Sequence, residues 1–366
     1  MKRISSGLLI CIFYLTIALY ALNIMPVIAS LITIFMAVMV LLVVSDKNSY
    51  TTYIFCLLAV FLSVVSILLS GHLGPLNVFI CVLILNCSLV MPMQNNRFLF
   101  GIHFDKLLII PFFIFFIGIN MTNFIDGRMF GLVGDPNYTA SILLTVVFIF
   151  HIWFGHLKSG RVAVFLSMLI IIALTASRMA MLAMLVFYIV KLFSYRYSLK
   201  ATKHIAFLFF IFFTSAQFIS SGLYKAYGDG VEWSEYSNDG NRVFVFADKS
   251  NLARINAFDS ALGFIGEHKL IAHGISDYMK VNVKAQNIPH HWLLQLFLNV
   301  GILLSCVYIF SLIRFINRAS LTILPPLISL FFIGSVLGKE PMIVGLYLVI
   351  LSSAFNSDCR ESSCLT

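Results

Sequence analysis

Charged residues are scarce in this sequence. Asp, Glu, Lys and Arg make up 11% of its 366 residues, where a soluble domain carries about 25%. Apolar residues fill the gap, at 60% of the chain. Apolar stretches of roughly 20 residues recur from end to end, each long enough to cross a ~30 Å hydrocarbon core. One soluble core has no room for all of them, so the bilayer is the solvent.

Other absences narrow the function. The sequence has no CxxC pair. Cys11, Cys56, Cys81, Cys87 and Cys306 lie inside apolar stretches, and Cys359 and Cys364 lie in the tail. That pattern argues against a disulfide framework and a zinc site. The net charge is +9, yet the basic residues fall in short clusters between apolar stretches, as topology signals do. No basic face interleaved with aromatics exists, which excludes nucleic acid as a partner. Helix interiors are almost free of ionisable groups, and no internal repeat is visible. Both count against a transporter or a flippase. His151 and Lys191 fall near expected cytoplasmic ends, where snorkelling accounts for them.

Hydropathy places about twelve spans, near 5–24, 26–44, 52–69, 75–93, 106–121, 137–154, 162–177, 179–194, 204–221, 291–313, 320–337 and 341–356. Residues 5–44 read either as a tight helical hairpin turning at Pro26 or as one long broken helix. The basic N-terminal Lys2-Arg3 followed by an apolar run reads as an uncleaved first helix, since no small-residue cleavage site follows. With the N-terminus cytoplasmic, the cytoplasmic segments hold Lys2, Arg3, Lys47, Arg97, Lys106, Lys158, Arg161, Lys191, Arg196, Lys200, Lys203, Arg314, Arg318 and Arg360, 14 of 24 basic residues. The short outer loops hold only Arg128, Arg178 and Lys339. That bias puts both termini in the cytoplasm.

One long hydrophilic loop, 222–290, remains. Its seven basic and eight acidic residues leave a net charge near −1. Aromatics and helical spacing over 253–265 give it the composition of a folded extracytoplasmic cap, not a linker. The expected fold is therefore an all-α polytopic membrane protein. Residues 1–221 form nine spans, 222–290 the partly helical periplasmic cap, and 291–366 three spans with a short cytoplasmic tail.

Four features at the outer side can carry chemistry. In Arg128-Met-Phe-Gly-Leu-Val-Gly134-Asp135-Pro136-Asn137, Asp135 or Asn137 can cap the following helix. Alternatively, Arg128 and that helix N-terminus form an anion site. Thr175-Ala-Ser177-Arg178 lies at an outer tip, where a lone Arg opposes the charge bias. Arg254, in Asn251-Leu-Ala-Arg254-Ile-Asn-Ala-Phe258, alone reads as a charge on an amphipathic helix. Pro289-His290-His291-Trp292-Leu-Leu-Gln295 stands at the loop-to-helix junction. Its adjacent imidazoles point apart on a helix and lack further ligands, which argues against a metal. It reads either as an interfacial anchor or as the source of a general base.

Together these features resemble the O-antigen polymerase (Wzy-type) and O-antigen ligase superfamily of bacterial membrane glycosyltransferases. The architecture is similar along most of the chain, and the motifs over about 121–305. The Gly134-Asp135-Pro136-Asn137 turn looks like one common in the polymerases. Ser177-Arg178-Met-Ala180 resembles the family's Ser/Thr-Arg-small element, and Leu252–Phe258 its Arg-bearing helix. Gly274 sits where the family tends to carry Gly. His290-His291-Trp292-Leu-Leu294-Gln295 with Gly301-Ile302 is similar to the family's His-Asn-x-x-Leu-Gln and later Gly-Ile. His291 stands where the family has Asn, and Asn299 where Glu is frequent. The usual Pro before the glycine is absent.

The resemblance implies a GT-C-like helical fold in the bacterial inner membrane. It implies glycan transfer from an undecaprenyl-diphosphate-linked oligosaccharide to an acceptor hydroxyl at the periplasmic face, with inversion and without a metal or cofactor. Arg178 and Arg254 would stabilise the departing diphosphate, because a guanidinium donates two bonds to phosphate. His290 would be the general base. Arg128, Asp135, Asn137, His291 and Arg242 are the expected substrate-binding residues. Besides membrane lipids, expected partners are a chain-length regulator and other polysaccharide-assembly proteins. The turn favours a repeat-unit polymerase. The alternative is a ligase that passes the glycan to lipid A-core.

Overall fold

The computed structural model describes residues 50–71, 74–90, 98–99, 102–103, 124–125, 128–130, 136–155, 158–227, 249–267, 270–274, 291–318 and 321–337. The expected spans 5–24, 26–44, 106–121 and 341–356 lie outside the described residues. So do 228–248 and 275–290 of the long loop.

The described chain is mostly helical. In order come α1 (Tyr50–Ser70), α2 (Gly74–Val90), β1 (Phe98–Leu99), β2 (Ile102–His103), β3 (Phe124–Ile125) and β4 (Arg128–Met129). They are followed by α3 (Pro136–Phe154), α4 (Lys158–Thr175), α5 (Arg178–Arg196), α6 (Leu199–Tyr227), α7 (Lys249–Glu267), α8 (Trp292–Arg318) and α9 (Leu324–Leu337). The strands form two short antiparallel pairs, Phe98 opposite His103 and Ile125 opposite Arg128. Among the described residues, α1, α4, α5 and residues 292–317 of α8 are long and apolar enough to cross a bilayer.

Small residues set how the helices pack. The buried stripe of α1 is Thr52, Cys56, Ala59, Leu62, Ser63 and Ser66, at spacings that keep one face toward α2 and α8. Its large residues, Ile54, Leu57, Phe61 and Leu68 among them, are exposed, as a lipid-facing surface requires. Helix α5 likewise turns Ala180, Ala183, Phe187 and Val190 inward, toward α9, its principal neighbour. With lipid as apolar as Leu, close backbone approach and interhelical hydrogen bonds do the work that hydrophobic burial does in water.

Those hydrogen bonds join the helix ends that charge counting assigns to one side. Arg314 Nη1 of α8 donates to Asn86 Oδ1 of α2 at 2.9 Å, and Nη2 to Thr52 Oγ1 of α1 at 3.4 Å. Asn86 Nδ2 donates to Ser311 Oγ at 2.9 Å and to Val82 O at 2.8 Å. The Arg314 guanidinium carbon lies 5.0 Å from the Phe55 ring centroid. Lys203 Nζ of α6 donates to Asn317 O of α8, again joining two ends from the basic side. At the opposite end of the bundle, Ser66 Oγ reaches Val300 O at 3.5 Å.

Removing the central acceptor of this network tests it. Asn86→Ala leaves the Arg314 guanidinium short of a partner, and loss of a bond to a charged group costs about 2 kcal/mol. Thermal unfolding in detergent should show a clearly lowered melting temperature. An unchanged one would contradict the network's role.

Candidate functional site

Two clusters of site residues form at the end of the bundle away from Arg314. The first joins β4, α3, α4 and α5. Helix α4 ends with Thr175 Oγ1 bonded to Ile171 O at 2.7 Å and Ala176 N to Ile172 O at 2.9 Å. Ala176 then adopts φ +45°, a left-handed conformation that costs an L residue roughly 1–2 kcal/mol. That reversal puts Ser177 in an extended conformation as the N-cap of α5, its Oγ accepting from Ala180 N at 3.3 Å. Two residues thus connect two helices, and Arg178 becomes the first residue of α5.

A cation at a helix N-terminus is unfavourable by about 0.3–1 kcal/mol. The helix dipole therefore does not favour Arg178 there. The surroundings hold the turn in place. Ser177 Oγ donates to Asn137 Oδ1 at 2.9 Å, which brings the first turn of α3 beside that of α5. Arg128 Nε donates to Thr175 O at 3.1 Å, and Arg128 is buried. Thr139 Oγ1 donates to Phe130 O at 2.6 Å, fastening the chain after β4 to α3. Arg128 thus braces the end of α4, and Asn137 sits inside the first turn of α3 bracing α5 instead of capping its own helix. Asp135 lies outside the described residues.

The second cluster joins α6, α7 and α8. Arg254 lies on α7, one turn before Phe258 on the same face. Phe258 meets Phe218 of α6 edge-on at 4.9 Å and His291 at 5.4 Å, and Phe218 meets His291 at 5.5 Å. Ser221 Oγ of α6 donates to Asp259 Oδ1 of α7, a second link between the same helices. His291 is fully buried and caps α8, its Nδ1 accepting from Leu294 N at 3.2 Å. An imidazole that accepts at Nδ1 carries its proton on Nε2 and is a donor there. As placed, His291 can orient a group but cannot take a proton without losing its cap. His290 and Arg242 lie outside the described residues.

Helix α8 is broken within this cluster. Gly301 has φ 80° and ψ 172°, so the amides of the next two residues lose their partners in the helix. The segment after α7 supplies replacements: Ile302 N donates to Leu270 O at 2.9 Å and Leu303 N to Ile271 O at 3.0 Å. Two glycines make room for it. A Cβ on Gly274 would meet Asn299 C at 2.2 Å, and one on Gly301 would meet His273 N at 2.8 Å. Two cores meet on this helix. Leu294 and Leu298 pack with Phe258, Ala261 and Leu270, whereas Trp292 and Val300, on the same side of the break, join Leu304 and Val307 beyond it in the large core of the bundle.

Helix α6 packs against α9 and α7, and also against α5 and α8. The α5–α6 hairpin turns at Tyr197-Ser198, with Ser198 Oγ capping α6 by accepting from Ala201 N at 3.3 Å. At about 1.5 Å per residue from that turn, Arg178 comes level with roughly Phe218. Both clusters therefore sit at one depth.

Three features were not evident from sequence. Arg314, read as a topology signal, also ties three helices together. The only pointer to this was Asn86 within an apolar stretch. Lys191, expected to snorkel, is only 8% exposed. The motif glycines 274 and 301 serve a backbone exchange that hydropathy does not register. Among the described residues, no group of three His, Cys, Asp or Glu is placed to hold a metal ion.

Residues 163–309 match the family model described as O-antigen ligase (Wzy_C), which supports the O-antigen polymerase and ligase superfamily. The matched stretch contains Arg178, Arg254, His291, Gly274 and Gly301. Arg128 and Asn137 precede it but are bonded to Thr175 and Ser177 within it. No curated protein and no solved structure matches the chain.

The backbone exchange yields a direct test. Gly301→Ala adds both a left-handed L residue and a clash with the His273 backbone, and should destabilise the protein by about 2 kcal/mol or more. Gly274→Ala should do at least as much. The readout is thermal unfolding together with proteolysis of the cap. Two variants that melt like the parent would contradict the exchange.

Proposed function

We propose that this protein is a glycosyltransferase of surface-polysaccharide assembly, acting at the periplasmic face of a bacterial inner membrane. In this reading twelve spans leave both termini cytoplasmic, with 222–290 as the cap between spans 1–221 and 291–366. The donor is an undecaprenyl-diphosphate-linked oligosaccharide. The acceptor hydroxyl oxygen attacks the anomeric carbon, the bond from that carbon to the diphosphate oxygen breaks, and the hydroxyl proton passes to His290. A single displacement of this kind inverts the anomeric centre.

The observation that carries the reading is Arg178 at the N-terminus of α5, inside the stretch that matches the O-antigen ligase family. The leaving diphosphate gains negative charge as the bond breaks, and fixed cations aimed at it lower the barrier. Arg178 and Arg254 are assigned that role, and Arg128 and Asn137 hold the Arg178 turn in position. Asp135, Arg242 and the Nε2–H of His291 are assigned to the glycan. Arg groups replace a divalent ion, so activity should persist in chelator.

His290 is preferred as base on a physical ground. The resembling family carries Asn where His291 stands, and Asn is a strong helix N-cap. His291 does that same capping job here, which aligns His290 with the family's His.

The acceptor separates two readings. The Gly134-Asp135-Pro136-Asn137 turn favours a lipid-linked repeat unit, hence a polymerase that works with a chain-length regulator and other assembly proteins. The description of the matched family favours lipid A-core, hence a ligase.

Substitution separates the roles. Arg178→Ala and Arg254→Ala should each lower glycan transfer by about a hundredfold or more while the protein still inserts. Normal product from either would remove it from the diphosphate site. His290→Ala should be inactive and His291→Asn, which keeps the cap, should be folded and active; the reverse would move the base to His291.

A deletion strain decides the acceptor. Loss of the glycan ladder with one repeat left on lipid A-core is the result expected of a polymerase. Polymer stranded on the lipid carrier would instead identify a ligase, and an unchanged profile would contradict both.

A further inference from the structure

At the other end of the α4–α5 hairpin lies a group of cations that glycan transfer does not use. Lys191 of α5 is only 8% exposed. Its Nζ lies 5.5 Å from the Phe187 ring centroid and 5.8 Å from that of Tyr188. Arg161, exposed in the first turn of α4, acts on it as a like charge. The Tyr188 hydroxyl is buried and has no hydrogen-bond partner among the described residues. Phe165, one turn beyond Arg161, packs edge-on against Tyr188 at 5.8 Å and so joins the two helices here.

The charge here is unbalanced among the described residues. Their carboxylates are Asp259 and Glu267, both on α7, and Asp259 accepts from Ser221 at the far end of α6. Two cations drawn together at a membrane helix end repel each other more strongly than in water. Ring faces offset part of that for Lys191, but they do nothing for Arg161 or for the buried phenol. An anion offsets all three at once.

The position indicates which anion. Lys191 lies thirteen residues from Arg178, or about 20 Å along α5, near the opposite membrane surface. The flanking Val162, Leu166, Leu192 and Tyr195 are exposed, as side chains beside lipid are. We infer that Lys191, Arg161 and Tyr188 form a binding site for a phosphate-bearing anion, supplied there by the headgroup of an anionic phospholipid. The ammonium and guanidinium donate charge-assisted bonds to phosphate oxygens, the phenol donates a third, and the acyl chains lie along the exposed faces of α4 and α5. This site does not depend on the glycosyltransferase reading.

The test titrates the delipidated full-length protein with phosphatidylglycerol and with phosphatidylcholine, read by native mass spectrometry, and with inorganic phosphate, read by melting temperature. The wild type should prefer phosphatidylglycerol. Lys191→Met should weaken that binding by about tenfold or more, as expected for one charge-assisted bond. Lys191→Arg should restore most of it. Arg161→Gln, at an exposed position where folding is not at stake, should weaken it as well. If inorganic phosphate raises the melting temperature of wild type but not of Lys191→Met, and phosphatidylglycerol is not preferred, the site takes free phosphate and the lipid source is wrong. If both variants bind phosphatidylglycerol like wild type, or if neither phosphate source binds, the site is overturned.

Discussion

Inside a membrane, a helix is broken only where other protein groups take over the hydrogen bonds it loses. At Gly301 the carbonyls of Leu270 and Ile271 do this, and the arrangement around the candidate site follows. The chain after α7 is held to the middle of α8. Helix α7, which carries Arg254, is thereby fixed against the first half of α8, which His291 caps. Gly301 supplies the left-handed backbone, and Gly274 lets two backbones approach closer than any Cβ allows. The cap is thus built into a transmembrane helix, and its small core includes Leu294 and Leu298 of that helix.

The other half of the site depends on a different backbone device. Ala176 accepts an unfavourable φ so that α4 can end and α5 begin within two residues. Arg128 and Asn137, from outside that hairpin, hold the turn by bonding to Thr175 and Ser177. Helix α6 then sets both halves at one depth, since it is paired with α5 and also packs on α7 and α8. A site assembled from two separately braced clusters suits the proposed chemistry. The leaving group must be held by cations on both sides while the acceptor approaches from the cap.

Much of this could be read along the chain. Apolar length located α1 to α6, α8 and α9, and helical spacing located α7, because both signals are local. Features that depend on which faces meet could not be read this way. Asn86 and Arg314 are far apart in sequence, and hydropathy scores one as a flaw in a span and the other as a topology signal. Lys191 looked like a snorkelling residue because its position is near a helix end. Its ammonium in fact lies over the Phe187 and Tyr188 rings, a placement that needs two side chains of its own helix. Arg128 read as an anion ligand, and its bond to the Thr175 carbonyl is visible only once β4 and α4 are brought together.

The central claim is that Arg178 and Arg254, held by these two braced clusters, act on one diphosphate. A cryo-EM structure of the protein with undecaprenyl diphosphate bound tests it most directly. The account predicts the diphosphate within hydrogen-bonding distance of both guanidinium groups, beside the N-terminus of α5 and below α7. A diphosphate bound away from either arginine, or at the Arg314 end of the bundle, would contradict it.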